Sequence, residues 1–159
     1  MGKVADEAEP HWLDHTEMEA WLPLAQLMIQ LPSALDAQLR RDSGISHFEY
    51  AVLARLSEAP SRTLRMSTLA DLTNGSLSRL SPVVTRLESQ GWVTRRSCAE
   101  DGRYTEAVLT KKGFAKVVAS APGHVAAVRR LVIDPLTRTQ LRQLSAIAAG
   151  IVDALPDQP

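Results

Sequence analysis

The chain has 159 residues, 45% of them hydrophobic and 23% charged, and its 18 Lys and Arg balance its 18 Asp and Glu. A normal apolar fraction with no net charge excludes a disordered chain, and the balance excludes a histone-like polybasic one. No apolar run approaches the roughly 18–20 residues of a membrane span. The acidic start MGKVADEAEP also lacks a signal peptide's apolar core, and the lone Cys98 excludes an internal disulfide or a multi-cysteine zinc site, so a cytoplasmic protein is expected.

In chain order, His11 and His15 come first, four apart, with Asp14 and Glu19 as neighbouring carboxylates. Two histidines are too few to mark a zinc site, and no metal or cofactor is expected. Thr16 with Glu19 has the spacing of a capping box, which predicts a helix from about Glu17 toward Arg41 and leaves both histidines ahead of it. Its stripe is Met28, Leu31, Leu35 and Leu39, Pro23 and Pro32 should bend it, and Gly44 ends it. Ser46 with Glu49 marks a second start. The helix behind it buries Phe48, Val52 and Leu56 and stops at Pro60. A short third helix spans about Ser67 to Leu72.

Leu72-Thr73-Asn74-Gly75-Ser76 is a tight polar turn between two helical patterns, the spacing of a helix-turn-helix. The following helix runs from about Ser76 or Ser78 to Gln90, with Leu77, Leu80, Val84 and Leu87 inward and Gly91 as the residue beyond its end. At 100° per residue the opposite face holds Ser78, Arg79, Pro82, Thr85, Arg86 and Ser89. Small hydroxyls with arginines suit a major groove. Pro82 removes a helical hydrogen bond, so a start with Ser81 as cap and Pro82 as first residue is the alternative to a distorted helix from Ser76 to Ser78.

After Gly91 the period falls to two: 92–96 and 104–109 predict strands joined by 98–103, with Asp101-Gly102 at the turn. A hairpin directly behind a helix-turn-helix is a wing. Thr110 then caps a helix that breaks at Pro122-Gly123 and resumes through His124, Val125, Val128 and Leu131; His124 is expected as a polar residue inside that helix rather than a switch. Thr137 with Gln140 starts a last helix carrying Leu144, Ile147, Ala148, Ile151 and Leu155. The terminal helices are too apolar to stand free, and should pack on each other or on a partner chain. The fold class is mainly α with a small β-hairpin wing.

Divided by segment, the zero net charge becomes −6 over 1–50, +5 over 51–116 and +1 over 117–159. Such asymmetry suggests that the middle of the chain meets a polyanion. The balanced total would limit sequence-independent attraction and give a shallow salt dependence.

Leu69-Ala70, Asn74-Gly75, Thr85-Arg86-Leu87-Glu88, Gly91-Trp92-Val93, Asp101-Gly102-Arg103 and Leu109-Thr110-x-x-Gly113 together resemble the MarR family of winged helix-turn-helix transcriptional regulators. The likeness implies three regions: 1–45 and 114–159 as dimerisation helices, and 46–113 as the DNA-binding domain. It also implies a homodimer on a pseudo-palindromic operator, acting as a repressor and released by a small molecule or an oxidant. Pro82 departs from the family pattern, where a polar or basic residue is usual. By the resemblance, Arg103 enters the minor groove and Asp101 orients it, consistent with the negative potential of a narrow A·T-rich groove.

Arg79 and Arg86, seven apart, share one side of the recognition helix; one would read a guanine edge and the other hold a phosphate, in an order the sequence leaves open. Ser76 and Ser78 could hold a phosphate at the helix start, Thr85 faces the groove, and Pro82 offers only apolar contact, to a thymine methyl for instance. Arg95 joins the candidate DNA-binding set from the wing. Cys98, near Arg95, Arg96 and Arg103, has basic neighbours that would make a thiol oxidisable, but without a second cysteine an incidental exposed thiol is expected. Trp12, Trp21, Met28 and Tyr50 are the candidate lining of an effector pocket. Enzyme chemistry finds no support: His-Glu-x-x-His, a glycine-rich phosphate loop and Gly-x-Ser-x-Gly are all missing from the sequence. A winged-helix adaptor or an effector-insensitive architectural protein is the alternative, and neither the outward arginines nor the Asp-x-Arg wing would be needed by an adaptor.

Overall fold

Asp14 is the residue that begins the first helix in the computed structural model, which describes residues 10–99 and 101–156. The acidic stretch over 1–9 lies outside the described residues. Asp14 accepts from the Glu17 N–H at 2.9 Å and Glu17 returns to the Asp14 N–H at 2.8 Å. Thr16 and Glu19, expected to form this box, lie inside helix α1, His15–Ser43. The pair two residues earlier has the same spacing, and aspartate outranks threonine as a cap. Pro23 and Pro32 are carried within α1, and Gly44 ends it at φ +66°, where its missing Cβ removes the steric penalty. On the expected stripe Leu35 and Leu39 are buried, whereas Met28 is exposed.

Helix α2, His47–Glu58, starts in the expected Ser46–Glu49 box. A three-residue strand β1, Thr63–Arg65, leads into α3, Met66–Leu72, and after the turn α4 spans Leu77–Ser89. Strands β2, Val93–Ser97, and β3, Thr105–Leu109, form the wing. The sheet has order β1-β3-β2, all antiparallel, with Thr63 opposite Val108 on one side and Val93 opposite Leu109 on the other. The hairpin is therefore a three-stranded sheet, because a strand too short to show alternation adds itself to β3.

Helix α5, Lys111–Val128, does not break at Pro122-Gly123 but continues into a π-helical turn at Arg129–Ile133. A helix-interior proline forfeits one hydrogen bond without ending a helix whose flanks are packed. Helix α6, Arg138–Asp153, starts in the expected Thr137–Gln140 box.

The core sits under the helix-turn-helix. Leu39, Val52, Leu53, Leu56, Leu69, Leu80, Val84 and Leu87 are fully buried, joined by Val93, Ala107 and Leu109 from the sheet. Each buried leucine or valine contributes about 1.5–3 kcal/mol by leaving water. Leu77, expected inward, is instead half exposed; it is the first residue of α4 and lines the cleft beside the wing rather than the core. No described residue of α6 is buried, and Trp21, Leu22, Met28 and Ile29 of α1 are exposed as well.

Candidate nucleic-acid interface

The turn between α3 and α4 is closed by backbone. The Gly75 N–H reaches the Ala70 carbonyl at 2.9 Å and the Asn74 N–H reaches Asp71 at 3.1 Å. Asn74 takes the left-handed conformation at φ 52°, which asparagine tolerates. Gly75 approaches α2 closely: a Cβ there would lie 3.1 Å from Cζ of Phe48, which would have to give by a few tenths of an ångström. The helix-turn-helix is thereby seated on the first turn of α2.

Ser76 caps α4 by accepting from the Arg79 N–H, and its hydroxyl lies 2.8 Å from that of Ser78. Pro82 lies within the helix, so the later start at Ser81 does not occur. Ser78, Arg79, Pro82, Thr85, Arg86 and Ser89 are all exposed on one face, as the 100° rotation places them. The Arg79 guanidinium stacks 4.5 Å from the Phe48 ring centroid. Arg86 is held from beneath, its Nε donating to Oε1 of Glu49 at 2.6 Å.

Arg95 joins the wing to the recognition helix. Its backbone N–H and Nε donate to Glu88 at 2.8 and 2.9 Å, and Nη2 donates to the Thr85 hydroxyl at 2.9 Å. These bonds set the angle between β2 and α4 and occupy donors that the sequence offered to DNA. Across the wing Arg96 pairs with Glu106 at 3.0 Å, its direct neighbour in the β2–β3 register. At the tip, Arg103 donates to Asp101 from its backbone at 3.1 Å and from Nη2 at 2.6 Å. The Arg103 guanidinium and backbone N–H hold the Asp101 carboxyl below its ordinary range. Arg103 remains 84% exposed in its side chain. This is an oriented cation presented to solvent.

Beside the wing, a cleft of about 330 Å³ opens between Arg65, Leu77, Ser81, Arg95 and Arg103. Arg65 also stacks 4.7 Å from the Tyr104 ring. Cys98 is buried, not exposed, and its backbone N–H donates to the Tyr104 carbonyl at 2.8 Å.

Trp12, Trp21, Met28 and Tyr50 line neither the cleft beside the wing nor the groove over α2. Trp12 precedes α1 and is 80% exposed, Trp21 and Met28 face outward, and Tyr50 lies half-buried with its ring 4.6 Å from that of His124. Burial, and secondarily His47, pushes the His124 pKa below the ordinary histidine value. That groove, of about 590 Å³, lies lower down, between Asp36 and Arg40 of α1, His47 and Phe48 of α2, Thr73 and Arg79. His15 pairs with Glu19 at 3.4 Å, Asp14 is used as a cap, and among the described residues no group of three potential ligands surrounds a metal-sized space. Among the described residues, too, no helix is long and apolar enough to cross a membrane.

A family model described as the MarR family matches residues 45–105. Similar solved structures include Sco3205 from Streptomyces coelicolor, a MarR family transcriptional regulator in complex with DNA. It is 41% identical with a TM-score of 0.89, over 96% of this chain and 94% of that one. AbsC from Streptomyces coelicolor, also a MarR family transcriptional regulator, is 37% identical with a TM-score of 0.88, over 94% of this chain and 100% of that one. CouR from Rhodococcus jostii RHA1, solved bound to p-coumaroyl-CoA, shares the fold at 19% identity and a TM-score of 0.72, over 86% of this chain and 93% of that one. No curated protein sequence matches.

Proposed function

The chain belongs to the MarR family of transcriptional regulators, and from that premise we propose that it is a cytoplasmic homodimeric repressor reading a pseudo-palindromic operator. The observation that carries this reading is the shared exposed side of α4 and the wing, where Arg79, Arg86 and Arg103 are each oriented by a neighbour and each open to solvent. Each α4 would enter a major groove about one helical turn from its mate, with Arg103 in the flanking minor groove. Ser76, Ser78 and Thr85 would contact backbone or base edges beside them, and Pro82 would meet a thymine methyl. The relative solved in complex with DNA supports DNA binding by this chain.

Dimerisation is supported by apolar surface that this chain leaves uncovered. Ile147, Ile151, Val152 and Leu155 of the C-terminal region join Trp21, Leu22 and Ile29 as exposed large side chains, a combination that a monomer in water rarely keeps. The regions 1–45 and 114–159 would supply the contact between copies, and 46–113 the contact with DNA. Release by a small molecule would act through the groove over His47, Phe48 and Arg79, since a ligand there touches the platform that seats α4. Selection of bound duplexes from a random pool tests the reading: an enriched inverted repeat is expected, and no enrichment at low salt would remove it.

A further inference from the structure

Glu49 is nearly fully buried, and its two carboxylate oxygens serve two different elements. Oε2 accepts the Ser46 N–H at 2.7 Å and closes the capping box of α2. Oε1 accepts Nε–H of Arg86, 37 residues later on the recognition helix, at 2.6 Å. Burial pushes the Glu49 carboxyl up, but the bonds from Ser46 and Arg86 outweigh it and leave its pKa below the ordinary value, so the group is ionised at neutral pH. The Arg86 side chain is 59% exposed beyond that anchor, and among the described residues its Nη groups donate to no other atom.

We propose that Glu49 is a positioning residue for DNA recognition, fixing Arg86 by Nε so that its Nη donors face the groove before DNA arrives. The inference rests on the DNA-binding reading above and deepens it. An unanchored exposed arginine samples many rotamers and must be ordered on binding; an anchored one has already lost that freedom in the free protein. Because the carboxylate is buried and already paired, its charge is not presented to the phosphates. The adjoining Arg79 is steadied by Phe48 in the same turn of α2, so residues 46–49 form a platform under both outward arginines of α4.

Bulk electrostatics makes the opposite prediction. Deleting a negative charge beside a polyanion should strengthen binding to any DNA. Positioning instead predicts that Glu49→Gln weakens binding to the preferred sequence while leaving or raising affinity for an unrelated one. Glutamine keeps the size of the side chain and can still accept from Ser46, so α2 retains its start.

The test uses the full-length protein and two labelled duplexes of equal length, one selected from a random pool by the wild-type chain and one a shuffled sequence. Fluorescence anisotropy is read beside thermal unfolding. Glu49→Gln is expected to lower the selected-to-shuffled affinity ratio about fivefold or more, and to change nothing further in an Arg86→Ala background. Ser46→Ala, which loosens the same cap but spares the Arg86 bond, should lower Tm and keep the ratio. If Glu49→Gln keeps the ratio, or if Ser46→Ala loses it equally, Glu49 is only a cap and the inference fails. If the wild-type chain itself distinguishes no duplex, the DNA-binding reading falls first and the inference with it.

Discussion

Gly113→Ala should be among the most damaging single substitutions in this chain. A Cβ at Gly113 would lie 2.0 Å from the Trp92 carbonyl oxygen and 2.7 Å from Cδ1 of Leu109. The leucine methyl could move aside, but the carbonyl is held in place: it accepts the Thr110 N–H at 3.0 Å. The Thr110 hydroxyl accepts the Gly113 N–H at 3.0 Å and donates to the Gly91 carbonyl at 2.7 Å, so one threonine ties the end of α4, the wing and α5 together. Relief requires roughly 1 Å of backbone separation at a junction of three elements. Overpacking that rotamers alone could absorb costs about 1–3 kcal/mol, and a backbone clash should reach or exceed the upper figure. At about 2–4 °C per kcal/mol for a chain of this size, Tm should fall by at least about 6–12 °C. Circular dichroism melts at fixed protein concentration measure it, since self-association shifts Tm by mass action. Gly102→Ala, where a Cβ meets open space, is the control and should melt as the wild type does. A Gly113→Ala melt within 2 °C of wild type would refute the packing argument.

Arg103→Ala should weaken binding to a selected duplex about 5- to 150-fold at fixed salt and leave Tm unchanged; unchanged anisotropy titrations would count against a wing in the minor groove. Pro82→Ala should restore a bond to the Ser78 carbonyl and raise Tm by several degrees, and an unchanged or lower melt would mean that the proline costs α4 nothing. His124, with His47 and Tyr50 against its ring, has a lowered folded pKa, so the unfolded chain takes up the proton first as pH falls through its ordinary value of 6.5. Stability should therefore drop between pH 7.5 and 5.5, and less steeply in His124→Gln; equal slopes for both proteins would remove His124 as the cause.

Local chemistry made much of this structure readable from residues alone. The boxes at Ser46–Glu49 and Thr137–Gln140 are three-residue events, as is the Thr110 cap, and each stands where the spacing puts it. The same reasoning misplaced the first start, because Asp14–Glu17 and Thr16–Glu19 overlap and only the relative strength of the two caps separates them. Features that depend on distant partners were less legible. Strand β1 shows no alternation in three residues and exists only because β3 offers an open edge. The burial of Cys98 and the exposure of Leu77 likewise depend on tertiary placement that residue spacing does not carry. The outward face of α4 followed from helical rotation, but the restraint of Arg86 by Glu49 spans two elements, and the sequence shows Glu49 only as a cap. Nor does the apolar pattern of α1 reveal that Trp21, Leu22, Met28 and Ile29 stay exposed while Leu35 and Leu39 are buried.

Hydroxyl-radical footprinting on a selected duplex tests the central claim most directly, comparing the wild-type protein with Arg103→Ala. Two protected half-sites about one helical turn apart are predicted, flanked by minor-groove protection that disappears in Arg103→Ala while the central protection persists at saturating protein. A single undivided footprint, or flanking protection unaffected by the loss of Arg103, would contradict the account of two copies reading major grooves with α4 and minor grooves with the wing.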